Sequence, residues 1–122
     1  MGLTHVDVVV TGAAGKSARV RLLVDSGAVY SLLPSKTWKA IGLRPKRTMT
    51  FDLADGTQVE RRVSECHFAL REGEAHSPVI LGERADQGLL GVVTLENLGL
   101  VLNPFSRRLQ PLRGMLASSR RR

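Results

Sequence analysis

Residues 4–10 and 18–24 alternate or run apolar, and Thr11-Gly12-Ala13-Ala14-Gly15 separates them. A period of two interrupted by small turn formers predicts a strand–turn–strand hairpin. Pro34-Ser35 then opens a helical stretch over 35–41 that stops at Gly42. Residues 48–53 and 57–63 flank Ala54-Asp55-Gly56, and Asp-Gly between two alternating runs predicts a second hairpin. Further strands are expected at 64–70 and 76–81, a short helix over 92–98 and a strand over 100–102. Short strands with one or two brief helices give an all-β domain, closed or nearly so.

The pattern repeats. Residues 22–43 align without a gap on residues 79–100, a shift of 57, with six identities that include Leu32-Leu33 on Leu89-Leu90, Thr37 on Thr94 and Gly42-Leu43 on Gly99-Leu100. The identities fall at matching element boundaries, so the chain reads as two related halves. Each half has an apolar strand, a loop, an apolar pair, a short helix and a returning strand. The halves differ at one place: Asp25-Ser26-Gly27 stands opposite Gly82-Glu83-Arg84.

That difference is the candidate chemistry. Leu22-Leu23-Val24 delivers Asp25 into a small-residue turn, Ser26-Gly27-Ala28. Asp is a poor strand residue, and burying a carboxylate costs several kcal/mol unless it is paired or hydrogen-bonded. Only one half carries the acid, so a reaction needing two carboxylates at equivalent positions cannot draw both from one chain.

Composition adds bounds. The chain has 122 residues and a net charge of +7, with 43% hydrophobic and 24% charged residues, the range of a single globular domain. The acid-free arginines of residues 107–122 account for most of the excess charge. They read as a solvated basic tail over 113–122 following a domain over 1–112. With aromatics at 4% there is little material for base stacking, so nucleic acid is not the expected partner. No apolar run approaches a membrane span, and the one cysteine, Cys66, fits a reducing, cytoplasmic setting. Cys66 and His67 are adjacent and so point to opposite faces of a strand, which makes a poor metal site; no metal is expected. Trp38 reads as packing on the first helix, and Arg61-Arg62 as solvated charge.

Asp25-Ser26-Gly27-Ala28 after an apolar strand, the Asp55-Gly56 hairpin, and Leu89-Leu90-Gly91 before a short helix occur in that order. With them the chain resembles the retroviral-type (retropepsin-like) aspartic proteases in their bacterial single-domain form, over roughly residues 4–112. The resemblance implies a closed β fold and a homodimer in which one Asp loop from each chain meets at a two-fold axis. It implies an endopeptidase without metal or cofactor. Two Asp25 carboxyls share a proton; one takes a proton from water while the other donates to the scissile peptide.

By the same resemblance Asp25, Ser26 and Gly27 form the catalytic loop. Ser26 braces the partner's loop, and Gly27 admits substrate backbone. Ala28, Val29, Leu32 and Leu89 line substrate pockets, and the Ala54-Asp55-Gly56 tip closes over an extended peptide. Retroviral members carry Arg where Val92 stands here, and they end in a strand that crosses the dimer, at the place of Leu109-Gln110-Pro111-Leu112. Asp55 also has a plain structural reading as a turn former. Two alternatives stay open: an inactive dimeric peptide- or protein-binding module on the same fold, and a nucleic-acid-associated β-barrel using the Arg-rich end.

Overall fold

The computed structural model describes residues 3–113; the expected basic tail lies outside them apart from Arg113. The elements are β1 (His5–Thr11), β2 (Ser17–Val24), β3 (Ser31–Leu33), α1 (Ser35–Ala40), β4 (Arg47–Asp52), β5 (Gln58–Leu70), β6 (Gly73–Leu81), β7 (Leu89–Leu90), α2 (Val92–Leu98), β8 (Leu100–Leu102) and β9 (Leu109–Pro111). Both predicted hairpins and both helices are present, and the domain is predominantly β.

Closure comes from β1. The strand order β1-β2-β7-β3-β6-β5 returns to its start because Val9, Val10 and Thr11 pair with Ala69, Phe68 and His67 of β5. Six strands thus form a ring whose inner positions supply the core, with Phe68, Leu22, Leu33, Leu81 and Leu90 almost fully buried. Pairing β4 with the first half of β5, Arg47↔Val63 through Asp52↔Gln58, extends a two-stranded hairpin beyond the ring.

The internal repeat is a structural symmetry. The parallel pairs Leu23↔Leu89 and Val24↔Leu90 are matched by Ile80↔Leu32 and Leu81↔Leu33, each residue displaced by the same 57 positions. Leu32 and Leu89, equivalent in sequence, face each other across the antiparallel contact of β3 with β7. The correspondence extends to the hydrogen bonds that end the strands: Asp25 N–H donates to Leu90 O at 3.0 Å and Gly82 N–H to Leu33 O at 2.8 Å. Gly82 therefore holds the backbone position of Asp25 in the second half. A Cβ there would collide with the Leu33 carbonyl oxygen, which excludes any side chain without a shift of backbone.

Two expectations need correction. Residues 57–63 and 64–70 belong to one strand of 13 residues, β5. Val63 and Ser64 are both buried, because here the strand passes from the hairpin into the ring and loses the alternation that marks a half-buried strand. The following strand starts at Gly73 rather than 76, and its pairing with β5 begins at Leu70↔Gly73. The segment at 109–111 pairs with β8 of its own chain, Leu102↔Leu109 through Leu100↔Pro111.

Cys66 lies inside the ring and is 3% exposed. Burial pushes its thiol up from 9.0 to about 12, since the thiolate would lose its hydration. The folded form thus holds a proton that the unfolded form releases sooner. The associated stability is unchanged below about pH 9 and is lost as pH rises from there toward 12. Iodoacetamide at pH 8 is expected to leave the native thiol unmodified and to alkylate it fully in denaturant. Rapid alkylation of native protein would show that reagent reaches the thiol without unfolding.

Candidate active site

The strand β2 ends because Asp25 leaves the sheet and folds its own side chain back. Gly27 N–H donates to Asp25 Oδ1 at 2.9 Å and Ala28 N–H to Asp25 O at 3.1 Å. These bonds form a tight turn in which Asp25 is half-buried and Ser26 and Gly27 are exposed. A Cβ on Gly27 would lie 3.2 Å from Oδ1, so glycine keeps the carboxylate's approach clear. The other carboxylate oxygen has no hydrogen bond among the described residues. The Ser26 hydroxyl has no partner among the described residues.

Beneath the loop, α2 acts as its floor. Helices leave their first N–H groups without internal partners; here Val92 N–H donates to Ala28 O and Val93 N–H to Val29 O, both at 2.9 Å. Gly91 permits this approach. A Cβ at that residue would stand 2.6 Å from the Tyr30 carbonyl carbon and 2.9 Å from Ala28 O.

A chain of buried hydroxyls continues the floor. Gly91 N–H donates to Ser31 Oγ at 2.9 Å, Ser31 contacts Thr94 Oγ1, and Thr94 contacts Ser77 Oγ at 2.7 Å. Ser77 Oγ donates to Pro78 O at 3.0 Å. Each hydroxyl has one hydrogen, so the last donation fixes all the others: Ser31 donates to Thr94 and Thr94 to Ser77. Ser31, Thr94 and Ser77 are at most 2% exposed and fully satisfied, and such a network rigidifies the core it crosses. Sequence reasoning missed it. The signal was three small polar residues at inward positions of β3, β6 and α2, visible only once those elements are placed.

Of the pocket residues, Leu32 and Leu89 are brought side by side, half-buried, on the face opposite the buried Leu33 and Leu90. Ala28 is half-buried and Val29 is 60% exposed. Ala54, Asp55 and Gly56 form the exposed tip of the β4–β5 hairpin. Gly56 takes φ +89°, and Asp55 Oδ1 accepts from Thr57 N–H at 3.0 Å and Thr57 Oγ1–H at 2.6 Å. The Thr57 hydroxyl, then the Thr57 amide, hold the Asp55 carboxyl below its ordinary value. This is the turn-forming reading of Asp55, with its carboxylate committed to its own turn.

Tyr30, just past the Asp25 loop, meets Phe51 of β4 edge-on at 6.0 Å and 75°. The hairpin is thereby tied to the strand that leaves the loop. Arg61 of β5 reaches Glu83 Oε2 at 3.4 Å. Trp38 is buried as expected, and its Nε1–H donates to Gly82 O at 2.8 Å with Arg62 stacked 5.5 Å from its ring. Arg61 and Arg62 thus have partners that the sequence did not suggest. Cys66 and His67 do face opposite ways, His67 Nε2 contacting Glu74 Oε1 at 2.9 Å. Among the described residues no group of three or more His, Cys, Asp or Glu is placed to hold a metal.

The Asp25 loop is bordered by exposed apolar side chains. Val24 N–H donates to Thr4 O at 2.8 Å, and Thr4 Oγ1 donates to Arg107 O at 3.3 Å. This brings the start of the chain and the 103–107 turn beside the loop. Leu3 is 73% and Phe105 93% exposed. The Asp25 carboxylate, the Ser26 hydroxyl and these apolar side chains thus lie at one end of the ring.

The family model described as "gag-polyprotein putative aspartyl protease" matches residues 9–97. No curated protein sequence matches the chain. Among solved structures, the Simian Foamy Virus (mac) protease is 18% identical with a TM-score of 0.55, over 76% of this chain and 92% of that one. EIAV protease in complex with the inhibitor HBY-793 is 16% identical with a TM-score of 0.60, over 80% of this chain and 89% of that one. At these identities the solved structures speak for the fold: the ring of strands is that of retroviral proteases.

Proposed function

We propose, from the premise that this chain belongs to the gag-polyprotein aspartyl protease family, that it is an aspartic endopeptidase assembled as a homodimer. The observation that carries the reading is the asymmetry of the two halves. Among the described residues the counterpart of Asp25 in the second half is Gly82, where no side chain fits without a shift of backbone. A second carboxylate therefore comes from a second copy, and a two-fold axis brings identical residues together.

In that dimer two Asp25 carboxyls share one proton, because like charges a few Å apart do not both ionise. The ionised member accepts a proton from a water molecule, which attacks the scissile carbonyl carbon. The protonated member donates to the carbonyl oxygen, giving a gem-diol. The first Asp25 then passes the proton it took from water to the leaving amine nitrogen, while the second takes a proton back from the gem-diol as the C–N bond breaks. Gly27 N–H, bonded to Oδ1, fixes the carboxylate plane. Ser26 bonds the partner's loop. Substrate lies extended across Gly27, with Ala28, Val29, Leu32 and Leu89 as pocket walls and the Ala54-Asp55-Gly56 tip above it.

Assembly is the point to test. Specific activity is expected to fall on dilution in step with dissociation measured by sedimentation, and Phe105→Asp is expected to raise the dissociation constant by roughly 100-fold, as for loss of an apolar interface anchor. An active monomer, with specific activity constant through dissociation, would refute the shared site. A stable dimer that leaves a diverse peptide mixture uncut between about pH 3 and 8 would favour a peptide-binding module on this fold.

A further inference from the structure

We propose that the cleft between the β1–β2 turn, the 42–46 connection and β5 is a second binding site, for a small organic anion: a carboxylate on an apolar body. The cleft has a volume of about 740 Å³, the size range of small-molecule sites. None of its lining residues belongs to the Asp25 loop, the hairpin tip or β7. Ala13, Ala14 and Leu43 give it an apolar wall. The turn sits directly on the 41–43 segment, since a Cβ on Gly12 would collide with the Ile41 carbonyl oxygen.

The opposite wall offers donors without partners. Ser64 lines the cleft and is 5% exposed, yet its hydroxyl has no partner among the described residues. Buried polar groups are nearly always satisfied, so an orphan at a cavity wall points to something that the cavity takes in. Beside it the sheet edge is open. The strand β5 pairs with β4 as far as Val63 and with β1 from His67 onward, leaving Glu65 between them with no strand on that edge. Backbone groups alternate between the two edges of a strand. Lys46 N–H bonds Val63 O on this edge, so the Glu65 N–H turns the same way.

Charge decides what enters. Arg44 lines the cleft and has no ion pair or hydrogen bond among the described residues. Among the described residues the Lys46 ammonium is paired with Glu65 alone, at 3.1 Å with both side chains mostly exposed, a contact worth little and readily exchanged. A hydroxyl, an amide N–H and a guanidinium border the same cleft, a donor set that suits a carboxylate, and the apolar wall suits the carbon chain behind it. The bond from Lys46 to Val63 is the base rung of the β4–β5 hairpin, so an occupant clasped by Arg44 and Ser64 stiffens the hairpin where it leaves the ring.

The test is titration of the full ¹⁵N-labelled chain with hexanoate, read from amide chemical shifts. Saturable shifts are expected at Ala13, Ala14 and Glu65, with the Asp25 loop unmoved. Arg44→Gln is expected to weaken binding roughly tenfold, as for loss of a charge-assisted hydrogen bond. Ser64→Ala weakens it less, Lys36→Gln leaves it unchanged, and 1-hexanol does not bind. Absence of saturable shifts overturns the proposal, as does equal binding of 1-hexanol or of the Arg44→Gln variant. The readout is binding alone, so the result stands whether or not Asp25 hydrolyses peptides.

Discussion

Replacing Asp25 by Asn is expected to lower peptide hydrolysis by roughly 10⁴-fold while the fold and the dimer persist. The substitution is nearly isosteric, and an amide Oδ1 still accepts the Gly27 N–H that shapes the turn. What is lost is an atom able to take a proton from water. Mixing sharpens the test. If each site needs a carboxylate from both chains, activity in exchanged mixtures follows the square of the wild-type fraction. A linear dependence would mean that one Asp25 suffices. Activity unaffected by the substitution would sink the mechanism outright.

Gly91→Ala is expected to cost about 3 kcal/mol of stability, at the upper end for overpacking, and on the order of 10 °C in Tm. Its added Cβ would lie 2.6 Å from the Tyr30 carbonyl carbon, 2.7 Å from Tyr30 O and 2.9 Å from Ala28 O. All three are backbone atoms of the segment that carries Asp25, so the clash has no flexible side chain to relieve it. The loop must move, and with it the carboxylate. A displacement near 1 Å reduces turnover roughly 100-fold even in molecules that remain folded. Thermal melting and activity per folded dimer separate the two effects. Gly73→Ala is the control, because a Cβ there meets nothing closer than Leu98 O at 3.6 Å. A Gly91→Ala protein as stable and active as Gly73→Ala would show that the loop is not held against α2.

The further cleft sits at the other end of the same hairpin whose tip is proposed to cover substrate. Tyr30 against Phe51 and Arg61 against Glu83 hold that hairpin to the active-site side, while Lys46 to Val63 anchors its base. An anion at Arg44 and Ser64 therefore acts on an element with attachments at both ends, without touching Asp25.

Local patterns in the sequence were enough for the hairpins, both helices, the placing of Asp25 in a turn after an apolar strand, and the duplication of the two halves. Each depends on residues near one another in the chain: a period of two, Gly and Asp-Gly at turns, Pro before a helix. The repeat even placed Gly82 opposite Asp25, which the matched hydrogen bonds to Leu90 and Leu33 bear out. Where local pattern failed, burial came from elsewhere in the chain. Val63 and Ser64 are both covered by distant strands, so β5 lost its alternation and read as two strands. The two- and three-residue strands β7 and β3 have no pattern of their own and exist because β2 and β6 pair with them. The Ser31–Thr94–Ser77 chain, the Trp38 bond to Gly82 and the unpaired edge at Glu65 join residues far apart in sequence. Turn chemistry and periodicity are written in neighbouring residues, whereas hydrogen-bond satisfaction is settled only when the ring closes.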